Sequence, residues 1–134
     1  MNTERIEARI VPEDARLSIL PRHFGQKMQI VEDRIYDFMR MFSSTYQGGW
    51  WQFYELSNGG FYMSPPEAVY DVSIPGNGFS GQMSADAAGI TVCLFTFSHL
   101  SFEYPDAMWV EHFYWLGSFA GDHAEASLIF EAID

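Results

Sequence analysis

Ser84 and Asp86 stand two positions apart in Ser84-Ala85-Asp86-Ala87-Ala88-Gly89. A serine, a carboxylate and a histidine brought in from elsewhere could make a hydrolase. The imidazole would take the hydroxyl proton, and the carboxylate would orient the imidazole. The surrounding residues are not a G-x-S-x-G elbow, which would hold such a hydroxyl on a strained turn. The same pair also reads as a helix start, with serine as N-cap and aspartate in the first turn. A small hydrolase or metal-assisted enzyme using Ser84, Asp86 and a histidine therefore stands as the alternative to a purely structural role.

The histidines are His23, His99, His112 and His123. No two have the i, i+4 spacing of H-E-x-x-H, and the neighbours in Glu111-His112 and Asp122-His123 diverge on a helix. His99 and His112 fall in apolar helical patterns, which predicts packed core histidines. Cys93 is the one cysteine, so neither an intramolecular disulfide nor a cysteine zinc cage can form, and its apolar setting predicts a neutral thiol. Gly76-Asn77-Gly78-Phe79-Ser80-Gly81 matches G-x-G-x-x-G, but Pro75 precedes it and no helix signal comes before Ser84. Asn77-Gly78 is accounted for as a hairpin turn. No cofactor and no metal is expected.

Two further segments could recognise a partner. Leu20-Pro21-Arg22-His23-Phe24-Gly25 places two cation-capable side chains between a proline and a glycine. Leu56 to Met63 sets aromatics around Asn58-Gly59-Gly60. Arg22, His23 and Asn58 would belong to a recognition patch if the neighbouring aromatics are exposed, and to a turn and a hairpin if they are not.

The elements that must position these residues follow from periodicity. Arg5 to Ile10 alternates as a half-buried strand. Pro12-Glu13-Asp14 starts a short helix that should end before Pro21. Ile35, Phe38, Met39, Phe42 and Tyr46 line one face of a helix of roughly four turns, up to about Ser44. Trp50–Leu56 and Phe61–Met63 flank a glycine turn as one hairpin; Val69–Ile74 and Phe79–Met83 form another. From Ser84 a helix runs with no charge between Ala87 and Phe102, apolar all round, as a buried central helix would be. Pro105-Asp106 opens another helix with Gly121 at its C-terminal cap. Asp122-His123-Ala124-Glu125 resembles a capping box before a last helix to about Ala132. The expectation is one α+β domain over residues 1–134. It would be an antiparallel sheet built from consecutive hairpins, covered by about four or five helices around an aromatic-rich core.

Charge narrows the function. The formal net charge is −11, and all seven Lys and Arg residues lie in the first forty positions, matched there by seven acids. Residues 41–134 hold eleven acids and no Lys or Arg. Nucleic-acid affinity rests on cations that displace counterions, so direct DNA binding and anchoring to anionic lipid are disfavoured. Imitation of a duplex is disfavoured as well. DNA carries a charge every ~1.7 Å of axis, whereas the acids of residues 41–134 fall about one in nine and are never adjacent. The charged first twenty residues are not those of a signal peptide, and the uncharged stretches look too short or too polar to cross a membrane. A cytoplasmic protein is expected.

Leu20–Gly25 (LPRHFG), Gly48–Met63 (GGWWQFYELSNGGFYM), Gly76–Gly81 (GNGFSG), Ser84–Ile90 (SADAAGI) and the final Ala132-Ile133-Asp134 together resemble the ArdB/KlcA family of antirestriction proteins. The matching pieces span nearly the whole chain in the same order. The resemblance implies a compact α+β fold and protection of incoming DNA from type I restriction–modification inside a bacterial cell. It also implies that the protein is not an enzyme and contains no cofactor. Its partner would be the type I restriction–modification complex or an associated host protein. From the family motif, Ser84 and Asp86 carry over as functional positions, together with Asp134.

Overall fold

The computed structural model describes residues 5–134. In chain order the elements are β1 (Ala8–Ile10), α1 (Arg16–Phe24), α2 (Met28–Phe42), β2 (Gln52–Leu56), β3 (Phe61–Ser64), β4 (Val69–Ile74), β5 (Phe79–Ser84), α3 (Ala85–Glu103), α4 (Ala107–Ala120) and α5 (Ala126–Ile133). Short 3₁₀ turns, Glu13–Ala15 and Gly25–Lys27, precede α1 and α2. The fold is α+β, as expected.

The strands make two sheets where consecutive hairpins suggested one. β1, β2 and β3 form an antiparallel sheet in that order, with Arg9 opposite Glu55 and Tyr54 opposite Tyr62. β4 and β5 pair only with each other, from Val69 opposite Ser84 to Ile74 opposite Phe79. Pro65 and Pro66 lie between β3 and β4 and carry no N–H for a continuous ladder.

α3 is the centre of the molecule. It packs against β3, α2, α4 and α5 and against the β4–β5 ribbon. Residues 87–94 of it are all buried. By length and composition α3 could cross a membrane, which corrects the expectation that no stretch was long and apolar enough; here most of its apolar surface is covered by protein. Gly89 explains how closely it approaches the sheet. A Cβ there would sit 2.3 Å from the Met63 carbonyl oxygen, so only glycine fits.

Four local expectations are corrected. α1 starts later than expected and runs through Pro21. The bond that proline forfeits would have gone to the Leu17 carbonyl, and Leu17 and Pro21 both lie on the solvent side, where water can replace it. The helix ends instead at Gly25, with φ 55°. α2 stops at Phe42, so Tyr46 lies in the following loop, where its hydroxyl accepts a 2.9 Å hydrogen bond from the Trp51 indole. Gly121 is the C-cap of α4, as expected, but in right-handed helical geometry, φ −60°, and not in the left-handed geometry that favours glycine. The last turn of α3 is covered on one side only, so His99 is exposed, its ring tilted against that of Phe38 at 5.0 Å, and Phe102 projects at 89% exposure.

Candidate functional site

Ser84 ends β5 and caps α3. Its extended backbone, φ −62° and ψ 160°, lets Oγ accept the Ala87 N–H at 3.1 Å. Glu125, just before α5, takes both remaining donors of Ser84: the backbone N–H at 3.0 Å and the hydroxyl in a short bond. This is why no capping box forms in Asp122–Glu125: the carboxylate is drawn across to another element.

Asp86, in the first turn of α3, accepts from the Tyr62 hydroxyl at 2.7 Å and from His123 Nε2 at 2.8 Å. Burial first, and then the hydrogen bond to Asp86, push the Tyr62 phenol well above its ordinary pKa, so it remains a donor. Tyr62 is itself held between Tyr54, stacked at 4.7 Å, and Phe119 at 5.7 Å. His123 Nδ1 accepts the Glu125 N–H at 2.9 Å, which leaves the proton on Nε2. The five side chains Tyr62, Asp86, His123, Glu125 and Ser84 thus join β3, the start of α3 and the start of α5 in one network.

Its chemistry differs from that of a triad. A serine nucleophile needs an imidazole nitrogen free to take its proton. Here Ser84 donates to Glu125, and both His123 nitrogens are engaged elsewhere, one by a backbone N–H and one by Asp86. The arrangement fastens three elements together and holds no idle base.

Arg22 and His23 converge on a residue that the sequence analysis missed. Arg22 Nη2 and His23 Nε2 reach the same Glu55 oxygen, at 2.6 and 2.8 Å, while Arg9 stands 3.6 Å from the other. Burial pushes the Glu55 carboxyl up. The hydrogen bonds from His23 and Arg22 and the Arg22 charge outweigh it and hold the carboxyl below its usual range. A lone acid in the aromatic Trp50–Leu56 run, in register with Arg9, was the available signal. Behind His23, at 5.2 Å between ring centres, lies buried His112. Burial, and then the neighbouring His23, lower its pKa to about 4, and its Nδ1 has no hydrogen-bond partner among the described residues.

Asn58 and Asp134 lie elsewhere. Asn58 Oδ1 accepts the Gly60 N–H at 3.0 Å, and its amide donates to the Trp115 carbonyl at 2.9 Å, docking the β2–β3 turn on α4. The Asp134 carbonyl accepts from Asn77 at 3.3 Å, and the same amide donates to the Ala132 carbonyl at 2.6 Å. Asn77, in the glycine turn, thereby secures the end of α5, a role not visible in the local pattern. The six residues singled out from sequence occupy four places, with Ser84 and Asp86 sharing one and Arg22 and His23 another. Cys93 is fully buried, and burial raises its thiol pKa to about 12.

The cations are largely engaged within the molecule. Arg34 pairs with Glu103, and Arg40 with Asp37 at 2.6 Å. Lys27 lies over the Tyr104 ring at 4.3 Å, and Arg16 lies against Trp50 and Phe53. Glu67, Glu111, Asp122 and Glu131 are exposed and, among the described residues, pair with no cation. The surface of residues 41–134 therefore presents carboxylates without counter-charge.

Known proteins share this architecture. The profile of the antirestriction protein family matches residues 44–134. The antirestriction protein KlcA of Escherichia coli is 41% identical over 138 residues, spanning 96% of this chain and 94% of the relative. YfjX of Escherichia coli K12, an uncharacterised protein, is 42% identical over 92% of this chain and 85% of its own. A solved structure of the KlcA and ArdB proteins superposes with a TM-score of 0.89 at 41% identity, covering all of both chains. Those proteins are described as having a novel fold and antirestriction activity against type I DNA restriction systems in vivo but not in vitro. With its profile match, full-length relatives and shared fold, the chain belongs to the antirestriction protein family.

Proposed function

We propose that this protein relieves type I restriction of incoming DNA in the bacterial cytoplasm by contacting proteins, without turning over a substrate and without imitating DNA. The observation that carries this reading is the acid-only surface of residues 41–134 in a molecule whose cations are mostly engaged by its own side chains. Such a surface repels phosphate and suits the basic DNA-contacting surface of a restriction complex or of a host protein working with it. The sparse spacing of the acids separates it from a duplex mimic. The activity of the KlcA and ArdB relatives in vivo but not in vitro fits a mechanism that needs a further cellular component.

In this reading Ser84 and Asp86 hold the working surface in place. The outer face of α4, with Glu111 and exposed Val110 and Tyr114, belongs to that surface. The test is plating of unmodified phage on a type I restricting host, with and without the protein. Protection is expected in its presence. Unchanged restriction at full soluble expression would refute the proposal, and hydrolysis of a generic substrate panel by purified protein would favour the enzyme instead.

A further inference from the structure

β1 is an edge of the three-stranded sheet: it pairs with β2 on one side and, among the described residues, with no strand on the other. Its backbone groups alternate in direction. The Ser57 N–H donates to the Glu7 carbonyl and the Val11 N–H to the Phe53 carbonyl, both at 2.9 Å, so Glu7, Arg9 and Val11 turn their peptide groups toward β2. Ile6, Ala8 and Ile10 turn theirs outward, a row of donors and acceptors open to another strand. The strand is exposed from Glu7 to Ile10, and Ile10, at 55% exposure, sets apolar surface beside that row. Arg9 is 3.6 Å from Glu55 with its side chain 82% exposed, which leaves most of its charge for a further partner.

We propose that β1 pairs antiparallel with β1 of a second copy of this chain, about a two-fold axis at Ala8, joining the two sheets edge to edge. Charge and backbone phase together select this occupant. Arg5-Ile6-Glu7-Ala8-Arg9-Ile10 alternates charged with apolar residues, and the sign of the charge alternates in turn. With the axis at Ala8, Ile6 of each copy exchanges backbone hydrogen bonds with Ile10 of the other, and Ala8 meets Ala8. Glu7 of each copy then lies opposite Arg9 of the other, an attractive cross-strand pair made twice. An axis at Glu7 or at Arg9 would set like charges against each other. An axis between two residues would set outward peptide groups against inward ones. The segment is therefore complementary to itself in one register. Pairing also covers the exposed Ile10 with Ile6, which is itself packed against the core. The contact is short, so the association is weak and reversible. It goes beyond the antirestriction proposal and stands independently of it.

The test is sedimentation velocity of the full chain at increasing concentration, with amide hydrogen exchange read by NMR on the same samples. The dimer fraction should rise with concentration. Exchange at the Ala8 and Ile10 N–H groups should slow roughly tenfold between dilute and concentrated samples, while Arg9, already bonded to β2, changes little. Glu7→Arg and Arg9→Glu should each remain monomeric where the wild type dimerises, because each sets like charges opposite each other. Mixed in equal amounts, the two variants should dimerise again, since every arginine at these positions then meets a glutamate. That recovery separates a lost contact from a misfolded chain. The proposal is overturned if the wild type sediments as a monomer at every concentration, or if either variant alone dimerises as the wild type does. It is also overturned if the mixture stays monomeric, or if a dimer forms without protecting Ala8 and Ile10, which would place the interface on another face.

Discussion

Ser84 and Asp86 show how residues suited to chemistry can be committed to architecture. Each hydrogen-bonding group of His123 and Ser84 is already used inside the molecule. Removing Asp86 with Asp86→Ala leaves the Tyr62 hydroxyl and the His123 N–H without their acceptor. Glu125→Ala does the same to the Ser84 N–H and hydroxyl. Each should cost about 1–3 kcal/mol of stability in urea unfolding. If these residues act by holding the surface, protection against restriction should fall in step with stability. Lost protection at undiminished stability would instead identify Asp86 as a contact. A second prediction concerns His112. Its pKa is lowered to about 4 in the folded protein by burial and by His23, from the ordinary value of 6.5. The unfolded chain therefore binds the proton more readily between those values. The stabilising difference is fully present above pH ~6.5 and is lost as pH falls toward ~4. The protein should lose about 2 kcal/mol between pH 8 and pH 5 from this residue, and His112→Phe should flatten the profile over that range. Glu55, held low, adds a loss only at more acidic pH, as protons reach its carboxylate.

At the scale of elements, α3 sets the fold, and Gly89 is its narrowest point. In an open helix Gly→Ala would gain about 1 kcal/mol. Here the added methyl meets the Met63 carbonyl at 2.3 Å, so the backbone of α3 or β3 must move. Gly89→Ala should therefore destabilise the protein by more than about 3 kcal/mol, read as a large drop in melting temperature or loss of soluble protein. Much of this level was legible in the sequence because its causes are local. The Ser84 cap, the two glycine-turn hairpins and the unbroken apolar surface of α3 each announce themselves within a few residues. What could not be read depends on remote partners. Glu125 looked like a capping residue for its own helix because nothing near it reveals that Ser84, forty-one positions earlier, would claim its carboxylate. Pro21 looked like a stop because its tolerance depends on which side of α1 meets water. The separation of the β4–β5 ribbon from the other sheet follows from how the chain leaves β3, again a matter of packing.

At the scale of the whole molecule, the distribution of charge matters more than its sum. The segment that carries every Lys and Arg folds back and spends most of these cations on Glu55, Glu103, Asp37 and aromatic rings, while Glu67, Glu111, Asp122 and Glu131 face outward. Reversing outward acids should therefore affect function with little effect on folding. Glu111→Lys together with Glu131→Lys should change stability by no more than about 0.5 kcal/mol per site, since both side chains are exposed and unpaired. The same variant should weaken protection in the phage assay. Protection retained in full would remove these two acids from the contact surface.

The burial of Cys93 has a practical consequence. To a thiol-reactive dye, the native protein is already cysteine-free, because its sole sulfhydryl is both sealed in the interior and held protonated. One cysteine introduced at Leu17 and another, in a separate variant, at Ser118 would each accept a fluorophore or spin label at a single defined address. Labels at those addresses could report separately on the two ends of the electrostatic polarity, with no background to subtract.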